Sequence, residues 1–187
     1  MMKQLPLILV VNDDGYKAPG IRFLIGLMKE IGEVFVVAPN KAQSGMSHAI
    51  TLESMIHSER VSVEGAKVIE YTCSGTPVDC VKLAVNKLLS RRPDLCVAGI
   101  NHGSNSSINV IYSGTMSAAV EGSLEGIPSI GFSLLDHSYE ADFSEADKYI
   151  RDIVSSILKT GLPDGVCLNV NIPKSDNKKK LRGVKVC

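Results

Sequence analysis

Two adjacent carboxylic acids, Asp13 and Asp14, have the clearest capacity for chemistry in this chain. They follow an apolar run at 7–11 and precede Gly15. Neighbouring carboxylates at the end of a buried strand are costly unless a cation neutralises them, and Mg²⁺ or Mn²⁺ prefers oxygen ligands of this kind. Neighbouring side chains of a regular strand point to opposite faces, so both could reach one cation only where the strand ends. The spacing alone fits a metal-free polar turn about equally well.

A second polar segment, 40–47, contains Ser44 and Gly45. A serine hydroxyl is a modest ligand for a metal or a phosphate, and a loop serine more often satisfies nearby backbone. His48 and His102 lie in or beside polar segments and could assist proton transfer. Surface or supporting roles are the simpler interpretation of both histidines.

A third polar segment contains Asn101 and Asn105 and ends in Ser113, Gly114 and Thr115. Backbone N–H groups at a glycine-containing helix start bind phosphate, and Gly114 is expected to let the phosphate approach the backbone closely. The same residue types also cap helices that hold no ligand.

The sequence lacks the motifs that are typical of several other functions. There is no GxGxxG after the first strand, no GxxxxGK[ST] and no GxSxG, and the four histidines have no zinc spacing. The 20 basic and 20 acidic residues balance, which gives no support for broad binding to nucleic acid or to an anionic membrane. No apolar stretch has membrane-spanning length. Five cysteines without a CxxC pair favour a reduced, cytoplasmic protein.

The pattern of apolar residues predicts an alternation of strands and helices. Strands are expected at 7–11, 34–37, 95–100, 127–132 and 167–170, with two or three short ones between 48 and 71 and turns near Ser58 and Gly65. Helices are expected at 21–31 with Gly32 as its cap, from the Thr76–Asp79 start to 89, at 115–124, and at 142–159 with an Asp142 and Glu145 capping box. A long loop is expected at 101–113.

This alternation indicates one α/β domain over 1–187 with a Rossmann-like, three-layer architecture and a mostly parallel sheet. In such a sheet, ligands bind beyond the carboxyl ends of the strands. The three polar segments each follow a predicted strand, so they are expected to meet at one edge of the sheet.

Taken together, six segments are highly specific and occur in the same order as in one known family. They are VNDDG at 11–15, VAPN at 37–40 followed by Ser44 and Gly45, GTPVDCVKL at 75–83, GINHGSN at 99–105, YSGTMSAAVEG at 112–122, and IPSI at 127–130. On these segments the chain resembles the SurE family of stationary-phase survival proteins.

The resemblance implies a SurE-like fold and a 5′- or 3′-nucleotidase that acts on nucleoside monophosphates. It implies one divalent cation per subunit, Mg²⁺ or Mn²⁺, held by Asp13, Asp14, Ser44 and Asn101, with Asp13 and Asp14 as catalytic residues. It further implies a phosphate- and substrate-binding set. That set comprises Gly45, Asn105, Ser113, Gly114 and Thr115.

The resemblance also bears on assembly. Family members usually continue beyond the position of Cys187 into a hairpin and helix that exchange between subunits. A homodimer formed through the core, without an exchanged arm, is therefore expected.

Two other functions stay open at this point. A nucleotide-binding module without turnover would use the same residues. A glycosyltransferase-like nucleotide-sugar binder is suggested by the segment at 121–128, although that fold needs a second domain.

Overall fold

In the part of the chain that the structure describes, the central sheet has seven strands in the order β3-β4-β2-β1-β5-β6-β7. The computed structural model describes residues 4–62, 67–138, 140–175 and 181–187. The strands are β1 (Leu7–Val11), β2 (Glu33–Pro39), β3 (Ser58–Arg60), β4 (Val68–Cys73), β5 (Leu95–His102), β6 (Ser129–Leu134) and β7 (Cys167–Ile172). All neighbouring pairs are parallel except β3 with β4.

Within the described ranges, five α-helices accompany the sheet. They are α1 (Pro19–Met28), α2 (Pro77–Leu83), α3 (Asn109–Tyr112), α4 (Gly114–Leu124) and α5 (Asp147–Thr160). Among the described residues, no helix has the length and apolar character needed to cross a membrane.

The core lies on both faces of β1, which explains why its sequence is apolar without alternation. Ile8 and Val10 join the cluster formed with α1 and α5, while Leu9 and Val11 join the cluster formed with α2 and α4. Two helical layers therefore enclose one sheet, and the predicted three-layer α/β fold is confirmed.

The predicted start of α2 is confirmed in detail. Thr76 is the N-cap, its side chain accepts from the backbone N–H of Asp79, and the Asp79 carboxylate accepts from the backbone N–H of Thr76. The Asp79 carboxylate also accepts from the hydroxyl of Thr51, which attaches the chain after β2 to this helix.

Two predicted helix ends were wrong. Helix α1 ends at Met28, so Gly32 is not its cap. A Cβ at Gly32 would lie 2.2 Å from the Pro6 carbonyl oxygen, so close packing against Pro6 explains the glycine. At the other helix, Asp142 accepts from the backbone of Ser144 at 2.8 Å, a 3₁₀ turn follows, and α5 begins at Asp147.

Two predicted loop features also differ. Ser58 begins β3 and is not a turn, because this segment pairs with the end of β4. The predicted loop at 101–113 contains the end of β5, up to His102, and the short helix α3. The predicted turn at Gly65 lies outside the described residues.

Candidate functional site

The two acids lie in the tight turn that follows β1. The side-chain amide of Asn12 donates to the Gly15 carbonyl at 2.8 Å, and Gly15 has a φ of +96°, which a residue with a side chain rarely adopts. The turn ends the strand, as two acids sharing one cation require. Asp13 is buried and Asp14 is partly buried.

Helix α4 begins directly against Asp13. The hydroxyl of Thr115 donates to Asp13 Oδ1, across 102 positions of sequence. A Cβ at Gly114 would lie 2.7 Å from the Asp13 Cβ and 3.0 Å from Oδ2, so only glycine fits there. Ser113 is the N-cap, and its hydroxyl accepts from the N–H of Met116 at 3.0 Å. The sequence predicted that Gly114 leaves room for a phosphate, whereas in the structure the Asp13 side chain occupies the space beside it.

The loop after β2 contacts the same turn. The N–H of Gln43 donates to the Asp13 carbonyl at 2.7 Å, and the N–H of Tyr16 donates to the Pro39 carbonyl at 3.0 Å. Ser44 and Gly45 come next in the chain and are exposed. Ser44 therefore directly follows Gln43, the residue whose backbone is hydrogen-bonded to Asp13.

The end of β5 contributes the third segment. The Asn101 side-chain nitrogen donates to Asn105 Oδ1 at 3.1 Å and to the Gly103 carbonyl at 3.2 Å. Asn105 is buried. The predicted convergence of the three polar segments at the carboxyl edge is confirmed, because β1, β2 and β5 are adjacent strands.

The electrostatics of the turn disfavour two ionised acids in the absence of a cation. Burial, and then the charge of Asp14, raise the pKa of Asp13 from 3.8 to about 6 against the opposing effect of the Thr115 hydrogen bond. Burial also raises the pKa of Asp14, which His102 partly offsets. A divalent cation next to both carboxylates would reverse these shifts.

Unpartnered acceptors test whether a cation fits. Asn12 Oδ1 and Asp14 Oδ2 are buried and accept no hydrogen bond among the described residues. The donor set is carboxylate, amide and hydroxyl oxygen, which suits Mg²⁺ or Mn²⁺. The described residues contain no cluster of three or more His, Cys, Asp or Glu side chains that could hold a metal. The residues present fit a hard, oxygen-liganded cation.

A cavity of about 400 Å³ opens beside Asp14. Tyr16 and Lys17, in the segment before α1, line it together with His102 and His137. Nδ1 of His102 contacts the Ser138 carbonyl at 2.9 Å, which fixes the ring at the wall of the cavity.

Three residues around the site escaped the sequence analysis: Asn12, Asn169 and Asn171. Asn169 and Asn171 lie on β7 and bind the backbone of Asn105 through hydrogen bonds. The available signal was their alternation with the apolar residues Leu168 and Val170 at the end of the predicted last strand. Two amides on one face of such a strand indicate polar partners at that face.

Comparisons with known proteins agree with this geometry. The model of the family described as "Survival protein SurE" matches residues 8–187. A protein of Flavobacterium psychrophilum named 5′-nucleotidase SurE is 63% identical over 182 residues, covering 97% of this chain and 70% of the relative. A protein of Christiangramia forsetii with the same name is 62% identical and covers 100% of this chain and 72% of the relative.

A solved structure is also similar. The crystal structure of the SurE protein from Aquifex aeolicus superimposes with a TM-score of 0.83 at 40% identity, covering 92% of this chain and 68% of that one. Since the family model extends over 8–187, from β1 to the last described segment, this chain belongs to the SurE family.

Proposed function

We propose that this chain is a metal-dependent phosphomonoesterase that hydrolyses nucleoside 5′-monophosphates to nucleoside and phosphate. Nucleoside 3′-monophosphates are a second substrate class to be tested. Relatives 63% and 62% identical over nearly the whole chain are named 5′-nucleotidases. The observation that carries the proposal is the pair formed by buried Asp13, which packs against the start of α4, and partly buried Asp14, whose Oδ2 lacks a donor among the described residues.

Four side chains would hold the cation: Asp13, Asp14, Ser44 and Asn101. The two carboxylates need a positive charge, because burial raises the pKa of both. Asn101 commits its nitrogen to Asn105 and Gly103, so its oxygen is the atom left for a ligand. When bound, Mg²⁺ or Mn²⁺ would polarise the phosphate and favour ionisation of a water molecule.

The phosphate would lie at the start of α4. The first N–H groups of a helix have no partner within the helix, and the helix dipole favours an anion there. Ser113, Gly114 and Thr115 supply this end beside Asp13. Asn105 would add its side-chain nitrogen, which is buried without an acceptor among the described residues. Gly45, with a φ of +75°, would border the substrate from the loop after β2.

Asp13 would orient the attacking water and accept its proton, rather than attack the phosphorus itself. Oδ1 already accepts from Thr115, and Oδ2 would lie 3.0 Å from a Cβ at position 114. A carboxylate whose Oδ1 is held by Thr115 and whose side chain packs against Gly114 is poorly placed for in-line attack, whereas it can still receive a hydrogen bond from water.

The nucleoside would occupy the cavity beside Asp14. Its volume of about 400 Å³ falls in the usual range for small-molecule sites. Tyr16 offers an aromatic ring at its wall, which suits a flat base.

The test is phosphate release from AMP by the 187-residue chain with Mn²⁺ or Mg²⁺, before and after chelation by EDTA. We expect release with the cation and its loss with EDTA. Asp13→Asn should lower turnover at least a hundredfold while the protein stays folded, because the substitution removes a charge that binds the cation. Asp164→Asn, at an exposed loop position, is the matched control and should behave as the unsubstituted protein.

Each alternative function has its own signature in this test. AMP that binds without phosphate release would indicate a nucleotide-binding module. Turnover of a nucleotide sugar in place of AMP would indicate the glycosyltransferase-like function. Full activity in EDTA, or a Mn²⁺-responsive Asp13→Asn protein, would refute the ligand set.

We also propose a cytoplasmic location. The five cysteines and their spacing, without a CxxC pair, suit a reducing compartment.

A further inference from the structure

Strand β7 brings two asparagines to the loop that follows β5. Leu168 and Val170 pack into the cluster shared with α1 and α5, so Asn169 and Asn171 occupy the opposite face of the strand. Asn171 is aligned with Ser133 of β6, and Ser133 is aligned with Asn101 of β5. A row of polar side chains thus crosses three strands and ends at a proposed cation ligand.

These asparagines hold both backbone polar groups of Asn105. Asn171 Oδ1 accepts from the N–H of Asn105 at 3.0 Å and from the hydroxyl of Ser133 at 2.9 Å. Asn169 Nδ2 donates to the Asn105 carbonyl at 2.8 Å, and Asn171 Nδ2 donates to Asn169 Oδ1 at 2.9 Å. The four contacts form one connected network, and each member restricts the orientation of the next.

The network decides which atoms of the loop remain available. With its backbone held, Asn105 turns its Oδ1 to the Asn101 amide nitrogen at 3.1 Å and leaves its own nitrogen without a partner among the described residues. Asn101 gives its nitrogen to Asn105 and Gly103, so its oxygen is left. The oxygen of Asn101 and the buried nitrogen of Asn105 are therefore the two side-chain atoms of this pair that the network does not use.

We propose that Asn171 is a positioning residue for the cation site. It acts through the backbone of Asn105, and from there through the Asn101 amide, to present Asn101 Oδ1 to Mg²⁺ or Mn²⁺. Asn169 supports it by holding the Asn105 carbonyl. The inference rests on the proposed metal-dependent function, and it assigns a role to β7 that the site residues themselves do not reveal.

A merely structural role for Asn171 predicts a different result. Loss of hydrogen bonds from β7 would loosen the edge of the sheet and lower the melting temperature, without a specific effect on the cation. Val170→Ala reproduces such loosening from the neighbouring position, because Val170 packs into the core on the other face. It serves as the matched control.

The experiment is calorimetric titration of Mn²⁺ into the 187-residue protein without nucleotide. Substitution of residues that orient metal ligands typically weakens metal affinity by about 10- to 100-fold. We expect a loss of at least about tenfold for Asn171→Ala and a smaller loss for Asn169→Ala. Val170→Ala should keep the original affinity despite a lower melting temperature.

Kinetics with AMP provide a second measurement. The Mn²⁺ concentration that gives half-maximal turnover should rise for Asn171→Ala, while the KM for AMP at saturating Mn²⁺ changes less. Asn169 is exposed, so Asn169→Ala is expected to fold even where Asn171→Ala does not, and it then decides the question.

The outcomes separate the two proposals. Unchanged Mn²⁺ affinity in Asn171→Ala and Asn169→Ala would overturn the positioning role, even with normal AMP hydrolysis by the unsubstituted protein. Mn²⁺ binding without AMP hydrolysis would refute the proposed function. The Mn²⁺ titration of Asn171→Ala would still test the positioning role of Asn171. Absence of any Mn²⁺ binding to the unsubstituted protein would overturn both.

Discussion

At the scale of single residues, the site depends on a contact between a side chain and a helix backbone. Asp13 occupies the space that a side chain at position 114 would fill. Thr115, fully buried in the first turn of α4, donates to the same carboxylate. The residue type at 114 therefore controls where the carboxylate lies.

Gly114→Ala is expected to impair cation binding as well as phosphate binding. The new methyl group would lie 2.7 Å from the Asp13 Cβ, so the buried carboxylate must shift. We expect at least a tenfold loss of Mn²⁺ affinity by titration. Gly26→Ala is the control, because nothing lies within 4 Å of a Cβ on that exposed position of α1, and alanine should stabilise the helix by up to about 1 kcal/mol. If Gly114→Ala weakens phosphate binding and leaves Mn²⁺ affinity unaltered, Gly114 serves the phosphate alone, as the sequence predicted.

The ionisation of Asp13 predicts a pH dependence of stability in cation-free protein. Its pKa is about 6 in the folded chain against 3.8 as the ordinary value. The folded state therefore holds the proton more tightly. Protonation of Asp13 therefore adds to the free energy of unfolding, by about 3 kcal/mol in all. This contribution is complete below about pH 4 and is lost as pH rises through 6.

Thermal melting in EDTA between pH 4 and pH 8 measures this effect as the difference between the unsubstituted protein and Asp13→Asn. As pH rises, the melting temperature of the unsubstituted protein should fall relative to that of Asp13→Asn. Saturating Mn²⁺ should abolish that trend, since a cation competes with the proton and stabilises the ionised form. A pH-independent difference in EDTA would contradict the raised pKa.

At the scale of elements, a buried glutamate joins three parts of the chain. Glu121 of α4 accepts from Lys82 of α2 at 2.9 Å and contacts His48 Nε2, in the loop after β2, at 2.9 Å. Its side chain is 7% exposed. This junction connects the loop that contains Ser44 to the helix whose first residues contact Asp13.

Glu121→Gln is expected to lower the free energy of unfolding by about 1–3 kcal/mol, because it weakens two charge-assisted hydrogen bonds at a buried position. Amide hydrogen exchange around His48 should become faster as the loop loses its anchor. Glu125→Gln is the control, since Glu125 forms a longer, 3.6 Å pair with the same Lys82 and should change stability by less than about 1 kcal/mol. Equal effects of both substitutions would show that Glu121 is not the anchor.

At the scale of the whole molecule, large apolar side chains are exposed in the segment after β2 and in α3. Leu52 and Met55, after β2, are 82% and 81% exposed. The same segment is bound to α3, because Ser47 donates to the Tyr112 and Ile111 carbonyls, and those two side chains are more than half exposed. Apolar patches of this kind mark protein interfaces.

We therefore expect the homodimer to form through this region. Multi-angle light scattering at micromolar concentration should give a dimer for the unsubstituted chain and a monomer for Leu52→Glu, which places a charge in the interface. Leu5→Glu, at an exposed leucine before β1, is the control and should stay dimeric. A monomeric unsubstituted chain would refute the dimer, and a dimeric Leu52→Glu protein would place its interface elsewhere.

The sequence alone determined what depends on neighbouring residues. The apolar run before Asn12 predicted a central strand, because only a strand covered on both faces needs no alternation. The acids at its end, the capping box of Thr76 and Asp79, and the start of α4 at Ser113 follow from short-range preferences. These features were enough to locate the edge of the sheet where the site lies.

Only the tertiary structure decided which distant residues meet there. The hydrogen bond from Thr115 to Asp13, the hold of Asn171 on Asn105, and the junction at Glu121 join residues 39 to 102 positions apart. Hydrophobic periodicity specifies the faces of an element but not its neighbours in the sheet, and the order β3-β4-β2-β1-β5-β6-β7 arises from packing of the whole chain. A glycine that makes room for a carboxylate and an asparagine that orients another amide acquire those roles only after the strands are placed side by side.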